Sequence, residues 1–225
     1  MIDDTDMTHI ALLGDSVFDN ASYVDPGESV SDQLSAMVDR NSSISLLAID
    51  GDITSDVTKQ LLNLPQDVTH LFVSCGGNDA LRAVEIINKS VSTVGEALEE
   101  LTLIREAFKD RYREMLSSIL SKAPNLTVCT VYNSVPGITE RALTALALFN
   151  EVILQEAVSL GLPVIDLRIL CNEESDYSTV SPIEPSAQGS AKIAAMIDQL
   201  VRTHDYGANE SRIYSALNNP NIKLC

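Results

Sequence analysis

The 225-residue chain carries 32 Asp and Glu against 15 Lys and Arg, a formal net charge of -17. That field repels nucleic-acid phosphates and anionic headgroups, so no nucleic-acid or membrane partner is expected. Hydrophobic residues at 45% and charged residues at 21% are ordinary globular usage, which argues against disorder and fibrous repeats, and the length suits one domain with one sizeable core.

The start, MIDDTDMTHIALLG, is acidic where a secretory leader is basic, and no run reaches the roughly 18 uncharged apolar residues of a membrane helix. A cytoplasmic protein is the expectation. Cys75, Cys129, Cys171 and Cys225 form no CxxC pair, so neither disulfides nor structural zinc are expected.

Short β-branched runs alternate with longer helical stretches along the chain, the pattern of parallel βαβ units. The first strand, HIALLG, covers 9–14 and leads to a helix over 29–38. A second strand at 44–49 precedes a helix at 54–63, and a third, HLFVSC, at 70–75 precedes helical sequence over 80–122 with breaks near Ser90 and Gly95. A fourth strand at 126–132 is followed by a helix at 138–160, which Gly161 and Pro163 stop. The fifth strand, 163–167, precedes a last helix at 187–202, introduced by Pro185 and Ser186. Each strand is almost continuously apolar, as strands covered by helices on both faces are. The expected architecture is an α/β, three-layer doubly wound fold on a five-stranded parallel sheet. It occupies residues 1–203, and a polar tail over 204–225 packs on the domain or on a partner.

Ligands of open parallel sheets bind beyond the carboxyl ends of the strands. Strand one ends in Gly14-Asp15-Ser16, strand two in Asp50-Gly51-Asp52 and strand three in Gly76-Gly77-Asn78-Asp79. A hydroxyl, glycines and an amide converging on one sheet edge are the inventory for acyl transfer, namely a nucleophile and oxyanion donors. Taken singly, these residues equally suit a helix cap or a turn. The GxSxG elbow, the phosphate loop and HExxH are absent, so no metal and no cofactor is expected.

In these residues the chain resembles the SGNH, or GDSL, hydrolases. GDSVFDN is similar to their first block, Gly51 to the second, GGND to the third, and SPIEPSAQGSAKIA to the fifth, usually DxxHPS. The resemblance spans about 8–203 and implies a flavodoxin-like fold. It also implies Ser16 as nucleophile, with the Ser16 and Gly51 amides and the Asn78 side chain receiving the oxyanion beside Asp15. The fifth block departs from the pattern, because Ser181 and Glu184 stand where the family carries Asp and His.

No other histidine replaces the missing one. His9 precedes Ser16 by seven residues, roughly 23 Å along a strand, and His70 likewise begins its strand. His204 follows Ser186 by 18 positions, about 27 Å of helix. Glu184 is therefore the candidate general base, with Ser181 orienting it through a hydrogen bond and Asp176 a further neighbour. An unperturbed Glu is a weaker base than His by about 3 kcal/mol, so the site must raise its pKa, by burial and by repulsion from Asp15 and Asp79. The competing reading is that Glu184 merely caps the last helix.

The function expected from the whole sequence is hydrolysis of short-chain carboxylic esters, including O-acetyl esters, through an acyl-Ser16 intermediate. The 4% aromatic content gives no stacking platform for glycans, and no long apolar lid is visible. The partner is a small-molecule ester; oligomeric state is open. The alternatives are a non-catalytic binding protein that has lost its base, or an acyltransferase.

Overall fold

A computed structural model describes residues 7–123 and 125–216. The acidic segment 1–6, the tail residues Asn218, Asn219 and Pro220, and Cys225 lie outside the described residues. In chain order the elements are β1 (Thr8–Gly14), α1 (Val30–Met37), β2 (Ser42–Leu46), α2 (Val57–Gln60), β3 (His70–Ser74), α3 (Gly77–Arg82), α4 (Val94–Leu120) and β4 (Leu126–Cys129). They continue with α5 (Glu140–Ser159), β5 (Val164–Ile165), α6 (Leu167–Leu170), α7 (Ala187–Thr203) and β6 (Ile213–Tyr214). A 3-10 turn at Val84–Asn88 joins α3 towards α4.

All six strands pair in parallel, in the order β2-β1-β3-β4-β5-β6. The α/β class and parallel sheet match the sequence reading, but the strand number does not: the described residues form six strands, not five. The sixth comes from the polar tail, where Ile213 and Tyr214 pair with Val164 and Ile165. Two residues are too short to show strand periodicity, which is why the tail reads as featureless.

The apolar residues of β1 alternate between two cores, because successive side chains of a strand face opposite ways. Ala11 and Leu13 join the core under α2, α4 and α5, while Ile10 and Leu12 join the one under α1 and α7. Hydroxyl caps start the long helices: Ser29 accepts from Asp32 N, Thr93 from Glu96 N, Thr139 from Ala142 N, and Ser186 from Gln188 N and Gly189 N. Each satisfies an amide that has no partner inside its helix. In length and composition α5 could cross a membrane, yet it carries Glu151 and Glu156 and seats Phe149, Val152 and Ile153 in the core.

Candidate active site

The register β1 to β3 places Gly14 opposite Ser74, and here the first strand turns. A side chain on Gly14 would put its Cβ 1.8 Å from the Ser74 carbonyl oxygen, so only glycine fits, at a φ of 119°. Asp15 N then donates to that same carbonyl at 3.0 Å. The buried Gln60 side chain accepts from Gly14 N at 2.8 Å, and donates to Gly14 O at 2.7 Å and to Asp52 at 2.8 Å. This clamp fixes the backbone that carries Ser16.

Ser16, Asp15, Asn78 and Glu184 line one cavity beyond the carboxyl ends of the strands. Asn78 Nδ2 donates to the Asp52 carbonyl at 3.0 Å, tying the third block to the loop that bears Gly51. Gly51 itself stands exposed on that loop, at a φ of 83°, outside the cavity wall. Asp79 faces away from the cavity wall and is structural: it accepts from Thr54 N and Thr54 Oγ1, each at 3.0 Å, with Arg111 at 3.5 Å.

Glu184 is only 3% exposed and shares the cavity wall with Ser16, whose hydroxyl acts on its carboxylate, while its Oε2 is buried with no hydrogen-bond partner among the described residues. An unpaired buried carboxylate oxygen costs roughly 1–3 kcal/mol, and that cost falls on the charged form. Burial accordingly raises the Glu184 pKa to about 7, with the Ser16 hydroxyl opposing the shift and nearby Asp50 adding repulsion. The helix cap is Ser186, so Glu184 is not the capping residue.

Asp15 is also buried, and its carboxyl is pushed up to about 8 by desolvation and then by the charges of Glu184 and Asp79, against a hydrogen bond from Val17 N. At neutral pH Asp15 therefore keeps its proton. Asp50 adds like charge against Glu184 that the sequence did not point to, beside the mutual repulsion of Glu184 and Asp15 that it did; Asp79 acts on Asp15.

The Glu184 loop is held by residues that sequence reading passed over. Asn20, fully buried, accepts from Val30 N and donates to Pro185 O at 3.1 Å and Ser190 Oγ at 2.8 Å. The Tyr132 hydroxyl donates to the Ile183 carbonyl, and Ser178 N donates to the Glu184 carbonyl at 2.8 Å. The contribution expected from Ser181 is corrected here: its backbone carbonyl accepts from Glu184 N at 3.0 Å, and its hydroxyl makes no bond to the carboxylate. Asp176 is paired with Lys192 and Gln188 and so anchors α7. Asn20 bonds a backbone amide ten residues on and partners 165 and 170 residues away, so no local motif marked it in the sequence.

The histidines lie elsewhere, as the strand lengths require. His9 sits beside Ser45 and Asp67, His70 packs edge-on to Tyr206, and His204 bonds the Tyr214 hydroxyl at 2.8 Å. Among the described residues no group of three or more His, Cys, Asp and Glu is placed to hold a metal ion.

The sequence profile described as the GDSL-like lipase/acylhydrolase family matches residues 12–192, which takes in the first three blocks named above and all but the last two residues of the fifth segment. The chain belongs to the GDSL-like lipase/acylhydrolase family. It is accordingly an SGNH-type carboxylic ester hydrolase by class. Several solved structures share its fold at low identity. A lipase from a goat rumen metagenome superimposes with a TM-score of 0.65 at 21% identity, covering 90% of this chain and 100% of its own. An extracellular lipase from Streptomyces rimosus gives 0.60 at 19%, covering 82% and 95%. An acetyl xylan esterase from Geobacillus stearothermophilus gives 0.62 at 14%, covering 87% and 94%. A search of curated proteins by sequence gives no match.

Proposed function

We propose that the protein hydrolyses carboxylic esters by acyl transfer to Ser16, with Glu184 as the general base in the position where the family carries histidine. The observation that carries this reading is that Ser16 shares one cavity wall with a buried carboxylate, Glu184, whose pKa burial raises to about 7. A base matched to ambient pH transfers protons most effectively, and a Glu of ordinary pKa would be far too weak.

Ser16 Oγ attacks the ester carbonyl carbon as its proton passes to Glu184. The resulting oxyanion is received by the Ser16 amide and Asn78 Nδ2, which belong to residues lining the cavity, whereas Gly51 stands outside its wall. Collapse breaks the bond to the alcohol oxygen, which leaves with the proton from Glu184. Water then attacks the acyl-enzyme carbonyl as its proton passes to Glu184, and collapse breaks the bond to Ser16 Oγ, releasing the carboxylic acid while Glu184 returns the proton to Oγ. Neutral Asp15 adds no charge that would oppose the oxyanion below about pH 8.

Because the base works ionised, kcat/KM for p-nitrophenyl acetate is expected to rise through pH 7 and to fall about tenfold per unit below pH 6. Ser16→Ala and Glu184→Gln are expected to lose at least about a hundredfold while staying folded by circular dichroism. If Glu184→Gln keeps parental activity the base lies elsewhere, and a parent inert across pH turns the assignment to a binding protein.

A further inference from the structure

The cavity at Ser16 has a volume of 340 Å³ and two unlike ends. Its polar groups, Asp15, Ser16, Ser74, Asn78 and Glu184, gather at one end. The body is aliphatic, walled by Ile86 and Ile87 of the 3-10 turn, Leu101 and Ile104 of α4, and Ala145 and Leu146 of α5. Its room exists because small residues stand where the helices face one another: Ala80 and Ala83 above, Ala142 and Ala145, three residues apart on one face of α5. Leu81 and Val84, exposed by 47% and 41%, border the opening.

We infer that this cavity is an acyl-chain pocket, and that the preferred substrates are esters of linear, medium-length carboxylic acids. The inference rests on the hydrolase reading above and replaces the short acyl group expected from sequence. At about 30 Å³ per water-sized group, the space holds on the order of ten methylenes. Polarity sets the orientation, because the reacting carbonyl belongs at the Ser16 and Asn78 end and the alkyl chain in the aliphatic body. Proton traffic sets which half of the ester enters. The leaving oxygen must face Glu184 to take its proton, so the acyl chain runs the other way, under the turn and between α4 and α5.

Two isomeric esters test the orientation: ethyl octanoate and octyl acetate have the same atoms and apolar area, with the chain on opposite sides of the carbonyl. Rates followed by pH-stat are expected to favour ethyl octanoate at least tenfold. A p-nitrophenyl ester series should rise about three- to fourfold in kcat/KM per added methylene, the equivalent of about 0.8 kcal/mol per buried CH₂, and peak at roughly eight to ten carbons. Ala145→Phe, or Ala142→Leu if that variant does not fold, should move the peak to shorter chains.

A series that is flat or falls from acetate, a preference for octyl acetate, or an unmoved peak in a folded variant overturns the inference. Failure of the hydrolase reading is seen separately, as esterase activity that survives Ser16→Ala or is absent altogether. In that case calorimetry of methyl octanoate on the Ser16→Ala protein still decides the pocket. Binding with a negative heat-capacity change supports it, and no binding overturns it.

Discussion

The two faces of the sheet are built to different standards. Under α1 and α7 the interior is filled: Ile10, Leu12, Phe18, Leu34, Phe72, Ile193 and Ile197 are all fully buried, and the polar side chains there, Asn20 and Ser190, are bonded to each other. Under α4 and α5 the core is equally tight around Phe108, Tyr112 and Ile153, but towards the carboxyl ends of the strands it opens into the 340 Å³ cavity. The filled face carries Glu184, on the loop that leads into α7; the open face supplies volume. On the proposed reading a base gains from being immobile and a substrate needs room, and the cavity lies on the seam where both demands are met.

The strongest test of that contrast is a pair of equal truncations. Leu34→Ala, on the filled face, should cost about 3 kcal/mol in urea unfolding, because its neighbours cannot collapse into the hole. Asn20→Ala should cost about 2 kcal/mol by leaving Val30 N and the Pro185 carbonyl unpaired. It should also release the Glu184 loop, so that the acid limb of kcat/KM moves below pH 7 as the carboxylate gains water.

Asp15→Asn tests the seam itself. The native Asp15 carboxyl titrates about 8 and the unfolded one at its ordinary value of 3.8, so the folded protein holds a proton over that interval which the unfolded chain has lost. Stability from this group is therefore full below about pH 4 and is lost as pH rises to 8. The Asn variant, which lacks that titration, should gain on the parent progressively over the same range in thermal melts. A gap that stays constant with pH would mean that Asp15 folds ionised. The smallest effect belongs to the partner of the first pair: Leu146→Ala enlarges a void already present, and should cost under about 1 kcal/mol.

What could be read in the sequence follows how locally each feature is encoded. Strands β1 and β3 stand out because every residue of Ile10–Leu13 and Leu71–Val73 is apolar and buried, and the reactive ends follow directly from where those runs stop. Glu184 was legible as a position, since Ser186 marks the helix start two residues later. Its environment was not: Asp50 comes near only through the turn at Gly51, and the hydroxyl of Tyr132 reaches Ile183 across 51 residues. The cavity was invisible for a different reason. It is made of what Ala142 and Ala145 lack, and alanine in a helix is indistinguishable from a residue chosen for propensity alone.

The outer strands decide how the molecule behaves in crowded solution. An open row of amides and carbonyls on a long apolar border invites a second chain to add itself. Here one border is β2, SSISL, whose alternate residues are hydroxylic, and the other is β6, two residues long, laid over the wholly buried Val164 and Ile165. The most adhesive part of the sheet is thereby sealed by a short strip of the chain's own tail, and neither margin offers a template long enough for fibril growth.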